Sequence, residues 1–274
     1  MLGSKTSQGN GSASGECVSI EKVALVTGAG MGIGKAIAER LGDDAYAVAV
    51  NDVSEERATA CAEYLSDLGA TAFAVPADVS DRDQAHAMVD AVVGRFGRLD
   101  VLVANAGIVQ VASIVDVNDE DFDRLFAINV KGLIWCAQAA FKHMASHGGG
   151  KIINAGSDAS YTGHPMLGTY SASKFSVRVL TQIMAREFAP HGVTVNAYCP
   201  GIVDTGMWET IDSKACDALG IPRGSVLQDA VSKIALGRMQ KPADVANFVS
   251  FLASGDADYI TGQSMVADGG VVMQ

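Results

Sequence analysis

Tyr170 and Lys174 stand four residues apart, a spacing that puts both side chains on one face of a helix, one turn from each other. A free phenol ionises at about pH 10, too high for a base at neutral pH. A neighbouring ammonium favours the phenolate. Such a pair could take a proton from an alcohol or return one to a ketone. A Tyr-x-x-x-Lys arises by chance in about one chain in five of this composition, so the alternative is an exposed helix pair with the lysine shielding the ring. Ser157 follows the apolar run 151–155. Its hydroxyl could donate to an oxygen that gains negative charge, or simply cap a turn.

A second constellation would handle phosphate. The apolar stretch 23–26 runs into TGAGMGIG at 27–34. There Gly28 permits a tight turn, Gly32 lets a pyrophosphate approach the backbone, and Gly34 lets helix and strand pack closely. The free N–H groups at the helix start would face the phosphates. With 30 glycines in the chain the pattern alone is weak, and its place between a strand and a helix is what gives it meaning. The second strand ends at Asn51 and Asp52. A carboxylate there can accept both hydroxyl protons of an adenosine ribose and repels a 2′-phosphate. Neither Met31 nor Val53 offers a positive charge to offset it, which points to NAD rather than NADP as cofactor. The other reading makes Asp52 a turn or cap residue before Ser54.

The elements that must position these groups follow from the hydrophobic pattern. Apolar runs at 23–26, 46–50, 71–75, 99–104, 151–154 and 193–197 lack polar alternation, as parallel strands covered on both faces do. Between them lie helical periodicities at 32–41, 55–68, 82–96, 121–146, 170–189 and 242–253. Gly42 is placed to end the first helix and Pro242 to open the last. This alternation predicts a single α/β domain over 21–274, a doubly wound, mostly parallel sheet of the Rossmann type. Residues 206–228 mix Gly206, Gly220, Pro222 and Gly224 with short apolar pieces and read as an irregular substrate loop.

Composition narrows the partners. The chain is 49% hydrophobic and 19% charged with a formal net charge of −11. The apolar content is that of a globular chain. The acidity argues against nucleic acid, whose phosphates need lysine and arginine. No apolar run is long enough to span a bilayer, so no membrane partner is expected. The five cysteines, Cys17, Cys61, Cys136, Cys199 and Cys216, are odd in number and widely spaced, which argues against disulfides and zinc and for a reducing cytoplasm. His143, His147, His164 and His191 form no metal-spaced cluster with acids, so no metal is expected. Residues 1–20 are rich in Gly, Ser and Asn and read as a flexible tail without a secretory signal.

Taken in order, TGAGMGIG (27–34), DVS (78–80), ANAG (104–107), INVKG (128–132), Ser157, YSASK (170–174) and PG (200–201) resemble the short-chain dehydrogenase/reductase family over residues 22–270. More closely, KVALVTGAG, DVSDRDQ, NVKGLIWCAQAA, GGKIIN, YSASKFSVR, YCPGIV, MWETID and DYITGQS are similar to the bacterial acetoin/diacetyl reductases, also called butanediol dehydrogenases. The chain departs from that pattern with Ala104 opening ANAG, with Asp158 where those enzymes often carry Gln, and with Thr205-Gly206-Met207 where Thr-Pro-Met is common.

The resemblance implies a seven-stranded sheet, a homotetramer, and hydride transfer between nicotinamide and a small ketone or secondary alcohol, with diacetyl, acetoin and 2,3-butanediol foremost. It implies that Asn129 holds a water linking Lys174 to solvent, and that Lys174 also binds ribose hydroxyls. It places Met31, Ile33 and Val53 with the glycine loop and Asp52 around the dinucleotide, Asp78 and Val79 at the adenine, and Asn105, Ala106 and Gly107 beside a ribose. Pro200, Gly201, Ile202, Val203 and Thr205 would lie near the carboxamide. Around the substrate would stand Ser157, Asp158, His164, Met166, Leu167, Met207 and Trp208, an apolar pocket with few polar contacts. Asp158 or a backbone group would take the substrate's second oxygen. Asp78 could instead begin the following helix. Two other functions fit the same residues less fully. One is a polyol dehydrogenase, in which Asp158 binds an extra hydroxyl. The other is a non-catalytic dinucleotide sensor, which would not need the Tyr170–Lys174 pair.

Overall fold

In the computed structural model, which describes residues 22–273, the strands β1 (Val23–Val26), β2 (Ala47–Val50) and β4 (Val101–Ala104) bury all four of their residues. β3 (Ala72–Ala74) is half-buried at the sheet edge. β5 (Gly150–Ala155), β6 (Val193–Pro200) and β7 (Ser264–Ala267) complete a seven-stranded sheet of order β3-β2-β1-β4-β5-β6-β7. Every neighbouring pair is parallel. The expected doubly wound fold is therefore present. β7 was not visible in the hydrophobic pattern, because its four residues are only half-buried and begin with a serine. The expected tail at 1–20 lies outside the described residues.

The helices are α1 (Gly32–Asp43), α2 (Glu55–Asp67), α3 (Arg82–Phe96), α4 (Asp119–Phe126), α5 (Leu133–Ser146), α6 (Gly168–Phe188), α7 (Gly206–Leu219), α8 (Ser225–Ser232) and α9 (Pro242–Ala253). One sheet face packs on α3, α5 and α6 through Val89, Val92, Ala137, Ala140 and Val177. The other packs on α1 and α9 through Ile37, Leu41, Val245, Val249 and Leu252. Each buried valine, leucine or isoleucine among them contributes about 1.5–3 kcal/mol by leaving water.

Three local readings need correction. Gly42 does not end α1, which runs on to Asp43. A Cβ at Gly42 would sit 3.0 Å from the Ala70 Cβ, so close packing against the turn between α2 and β3 explains the glycine. The helix expected over 121–146 is two helices joined by a π-helical segment, Ala127–Gly132. The irregular loop expected at 206–228 is helical in the main, because its glycines mark ends rather than a disordered interior. Gly220 closes α7 at φ +66° and Gly224 precedes α8 at φ +90°. Asp212 of α7 then ties the two together, accepting from Gly224 N at 2.6 Å and Leu227 N at 2.9 Å.

Candidate active site

Strand order reverses between β1 and β4, and in a parallel sheet the crevice at such a reversal lies outside the carboxyl ends of the strands. The turn from β1 into α1 is built for close approach. Gly28 and Gly32 hold φ +61° and +56°, and a Cβ on Gly34 would fall 2.2 Å from the Gly28 carbonyl oxygen. Met31, at the N-cap of α1, makes no side-chain cap. By contrast Ser54, Asp81 and Asn118 cap α2, α3 and α4. The first amides of α1, with Ile33 among them, are therefore left for an anion. Thr205 lies across the same turn, its Cγ2 3.6 Å from where a Cβ on Gly32 would stand.

A staple from β4 fixes this turn. Thr27 Oγ1 accepts from the backbone N–H groups of Asn105 and Ala106, each at 3.0 Å. The Asn105 amide donates to the carbonyls of Thr27 at 2.8 Å and Gly28 at 3.1 Å, and accepts from the Tyr198 hydroxyl at 2.8 Å. The Asn105 side chain thus serves the glycine turn and is not free for a ribose. Thr27 and Tyr198 were absent from the residues read from sequence. Thr27 opens the glycine motif and could have been found there, whereas nothing local marks Tyr198.

Asp52 is buried at the end of β2 and Val53 is exposed beside it. One Asp52 oxygen accepts from Gly30 N at 3.2 Å. The other accepts from Ser54 N at 3.0 Å and from Arg57 of α2, at 3.2 Å from Nε and 2.7 Å from Nη2. From the sequence, only residues 31 and 53 bear on whether a cation offsets Asp52. Residues 31 and 53 are uncharged, but α2 brings Arg57 back one turn later. Gly30 is required by the same cluster, since its Cβ would lie 2.6 Å from the Arg57 Cβ and 2.7 Å from Asp52 Oδ2. Asp78 accepts from Ser80 N at 2.9 Å and Ser80 Oγ at 2.7 Å. Asp81, not Asp78, caps α3. Val79 is buried against Gly132, where an added Cβ would meet it at 2.8 Å.

At the neighbouring edge α6 carries Tyr170 and Lys174 against the end of β5. The Lys174 ammonium is buried, donates to the Ala155 carbonyl at 2.8 Å, and lies 5.6 Å from the Tyr170 ring centroid. Burial lowers its pKa to about 8. Burial likewise pushes the Tyr170 phenol up to about 12, against the lowering effect of a hydrogen bond with Ser157. The lysine does not by itself make a phenolate here; desolvation dominates, and Tyr170 holds its proton at neutral pH. The turn-cap reading of Ser157 holds. It caps the 3-10 turn Asp158–Ser160, accepting from Ala159 N at 3.1 Å, and its hydroxyl stands beside Tyr170. It donates to Asp158 Oδ1 at 2.8 Å.

Asn129 lies buried in the π-helical segment. Its side chain accepts from Ile108 N at 2.9 Å and donates to Ile108 O at 2.9 Å and to Ser173 Oγ at 3.1 Å. Every polar edge of that carboxamide is directed at protein. It pins the loop after β4 to α6, close to where Lys174 passes, for a Cβ on Gly107 would stand 3.3 Å from Asn129 Oδ1 and 3.7 Å from Lys174 Nζ.

The remaining residues read from sequence cluster around this edge. Gly201 packs on Asp268, while Ile202 and Val203 are buried. The Ile202 carbonyl is already taken by Gln240 N at 2.8 Å, which leaves only its N–H for a ligand. Pro200 ends β6, and Met207 and Trp208 open α7. His164 and Met166 are partly buried in the loop before α6, and Leu167 is buried. Met166 holds φ +65°, rare for a side chain of this size. Its carbonyl accepts from Ala112 N at 2.9 Å, closing this loop onto the one after β4.

The chain belongs to the short chain dehydrogenase family, whose pattern it matches over residues 22–215; it is an oxidoreductase that works with a nicotinamide dinucleotide. It is 45% identical to a diacetyl reductase, (S)-acetoin forming, of Staphylococcus epidermidis, over 92% of this chain and 99% of the relative. It is 44% identical to an L-2,3-butanediol dehydrogenase of Corynebacterium glutamicum, over the same shares. A gluconate 5-dehydrogenase from Burkholderia cenocepacia, solved with NADP and tartrate, superposes with a TM-score of 0.83 at 32% identity. That match covers 92% of this chain and 95% of the other.

Two outcomes follow from the geometry. Tyr170→Phe keeps the ring and removes its proton. It is expected to retain NADH binding while kcat falls about 100-fold or more, and a loss below about tenfold would remove Tyr170 from the chemistry. Asp52→Ala releases Arg57 beside the place a ribose would occupy. Its kcat/KM with NADPH should rise at least about tenfold, and adding Arg57→Ala should cancel that gain. A gain indifferent to Arg57 would show that the pair plays no part in selectivity.

Proposed function

We propose that the chain interconverts small vicinal ketones and alcohols, the diacetyl, acetoin and 2,3-butanediol series, with NAD(H). The observation that carries this is the similarity to the diacetyl reductase and the butanediol dehydrogenase at 44–45% identity, along nearly the whole of both chains. The substrate edge fits a short molecule. Met166, Leu167, Met207 and Trp208 are apolar, and polar groups come mainly from Ser157, Asp158 and His164. Preference for NAD rests on Asp52, whose carboxylate faces the glycine turn through Gly30 N.

In this reading the bound nicotinamide supplies or accepts the hydride. Tyr170 gives its proton to the reacting oxygen in reduction and takes it back in oxidation. Ser157 donates to that oxygen as charge gathers on it. Lys174 spends one N–H on Ala155 and has two left for ribose hydroxyls. Asn129 positions Lys174 by fixing the loop and helix on either side. The glycine turn and the uncapped start of α1 receive the pyrophosphate, and Thr205 closes over it.

A polyol dehydrogenase is the second reading, favoured by the polar pair Asp158 and His164 and by the gluconate 5-dehydrogenase neighbour. Assays of kcat/KM with NADH or NAD under one set of conditions separate the two. Diacetyl and acetoin are expected to exceed 2-butanone by about 10- to 100-fold and to exceed sorbitol further. If sorbitol leads, the polyol reading replaces this one.

We also propose a homotetramer in a reducing cytoplasm. α6 exposes Phe175, Val179 and Ile183 at successive turns, a stripe that a second copy would cover. Among the described residues, Cys61, Cys136, Cys199 and Cys216 are free thiols. Among the described residues no helix is long and apolar enough to cross a membrane. Light scattering should return the mass of four chains, and a monomer mass would overturn the assembly.

A further inference from the structure

Tyr170 stands in the first turn of α6, where a helix leaves its N–H groups without partners of its own. Leu167, at the N-cap, makes no side-chain cap. The loop after β4 holds this helix start from outside. Ala112 pairs with Leu167 in a parallel bridge, its N–H on the Met166 carbonyl at 2.9 Å. Two residues earlier Gln110, itself buried, accepts at Oε1 from the Thr169 hydroxyl at 2.6 Å. Thr169 is buried and immediately precedes Tyr170. Ser173 Oγ donates to the Tyr170 carbonyl at 2.7 Å and accepts from Asn129. The backbone around Tyr170 is thus held by Gln110 on one side and Asn129 on the other. Gln110 is nevertheless a poor choice for packing alone. Its Nε2 is buried and has no hydrogen-bond partner, and a buried donor left unpaired weakens a fold. A methionine of similar size would avoid that loss but could not accept a proton from Thr169. A residue that strains the fold where it sits points to a use beyond the fold.

We propose that Gln110 is a positioning residue for Tyr170, acting through its hydrogen bond with the Thr169 hydroxyl. This rests on the reading of Tyr170 as the proton donor. The phenol oxygen lies at the far end of a rigid ring, so a slight rotation of the first turn of α6 swings it farther than the backbone moves. Proton transfer needs that oxygen within hydrogen-bond reach of the reacting oxygen, and a misplacement of about 1 Å can cost about 100-fold in rate. The loop that carries Gln110 begins at Asn105 and Ala106, whose N–H groups are bonded to Thr27 of the glycine turn. Its Ile108 is bonded on both backbone groups by Asn129. One stretch, 105–112, therefore sets the phenol against the place where the dinucleotide would lie. A phenol moved away from Ser157 also loses the hydrogen bond that draws its pKa down, so displacement makes it harder to ionise.

The experiment compares Gln110→Met, Thr169→Val, the double variant and Thr169→Ser in diacetyl reduction and 2,3-butanediol oxidation, with NADH binding as the check that each is folded. Gln110→Met and Thr169→Val should each lower kcat about tenfold or more, with KM for the ketone kept within about twofold. The double variant should be no slower than the slower single one, since both changes cut one bond. Its Tm should match or exceed that of the wild type, because neither amide nor hydroxyl is left buried and unpaired. Thr169→Ser, which keeps the hydroxyl, should recover most of what Thr169→Val loses. In oxidation, the limb of the kcat profile that reports the phenol should move to higher pH in Gln110→Met. Losses that add in the double variant, or a raised KM with kcat unchanged, would place Gln110 on the substrate itself and overturn the positioning role. A lower Tm with unchanged kcat would reduce the pair to a contact of the fold and overturn it equally. Should Gln110→Met fail to bind NADH, equal kcat in Thr169→Val and Thr169→Ser still rejects the proposal. Tyr170→Phe separates the two levels: if it stays active, the proton-donor reading falls and this inference with it. If it is inactive while the Gln110 and Thr169 variants run at the wild-type rate, only the positioning role falls.

Discussion

A buried ammonium is the constraint on which the site depends. Taking a lysine out of water costs several kcal/mol unless its N–H groups find acceptors, and Lys174 finds the Ala155 carbonyl at the very end of β5. That bond fixes the height and rotation of α6 against the sheet. Once Lys174 is fixed, Tyr170 is fixed one turn earlier, and Ser157, two residues beyond Ala155 on the same strand end, must face it. The backbone approach at Gly107 and the Asn129 bridge to Ser173 serve the same anchorage from the other side. Ser157, Tyr170 and Lys174 are thereby held by one strand end and one helix, with Asn129 bracing them from the segment between α4 and α5.

In the proposed mechanism the same burial sets the direction of proton flow. Desolvation opposes charge on either partner, raising the phenol and lowering the ammonium. The Lys174 ammonium does not offset the desolvation of the phenol, so the chain alone presents Tyr170 as an acid. This suits reduction without further adjustment. Oxidation requires positive charge to arrive near the phenol, and the empty amides of α1 with the crevice beside them place a dinucleotide where it would bring it. The cofactor cradle and the proton site are thus one electrostatic unit, joined through the β4 loop that both Thr27 and Asn129 bind.

What could be read from sequence was what lies within one element or at its end. The spacing of Tyr170 and Lys174, the glycines of the first turn, and the apolar strands β1, β2, β4, β5 and β6 all declare themselves locally. What escaped depends on a second element. Arg57 is five residues from Asp52, and nothing in that spacing says that α2 turns its guanidinium back onto β2. The π-helical segment at Asn129 keeps the apolar pattern of an ordinary helix, so periodicity runs through it unbroken. In 206–228 the glycines were counted as breakers of structure. They are the ends of two helices, and the reason for the close turn between them is Asp212, a buried carboxylate whose partners lie 12 and 15 residues away. Tyr198 is similar, since its role comes wholly from the register of β6 beside β5.

Asp158 raises the sharpest conflict within the site. Ser157 has one hydroxyl proton, and the reacting oxygen and the Asp158 carboxylate both claim it. A carboxylate beside a growing oxyanion would oppose reduction, and a serine committed to it would leave Tyr170 as sole donor. The backbone resolves this. Ala159 N–H holds Asp158 Oδ1 at 2.7 Å whether or not Ser157 does, so the carboxyl group keeps its place when the hydroxyl turns away. Turning moves a hydrogen and no heavy atom. Burial also raises the Asp158 carboxyl, with Asp268 adding to the rise, while the Ser157 hydrogen bond, His164 and the Ala159 amide pull it back; once protonated it would itself donate to Ser157, leaving the serine proton for the substrate. Burial thus works against the charge that would hinder reduction in the proposed mechanism, which is how an acidic residue can stand next to Ser157.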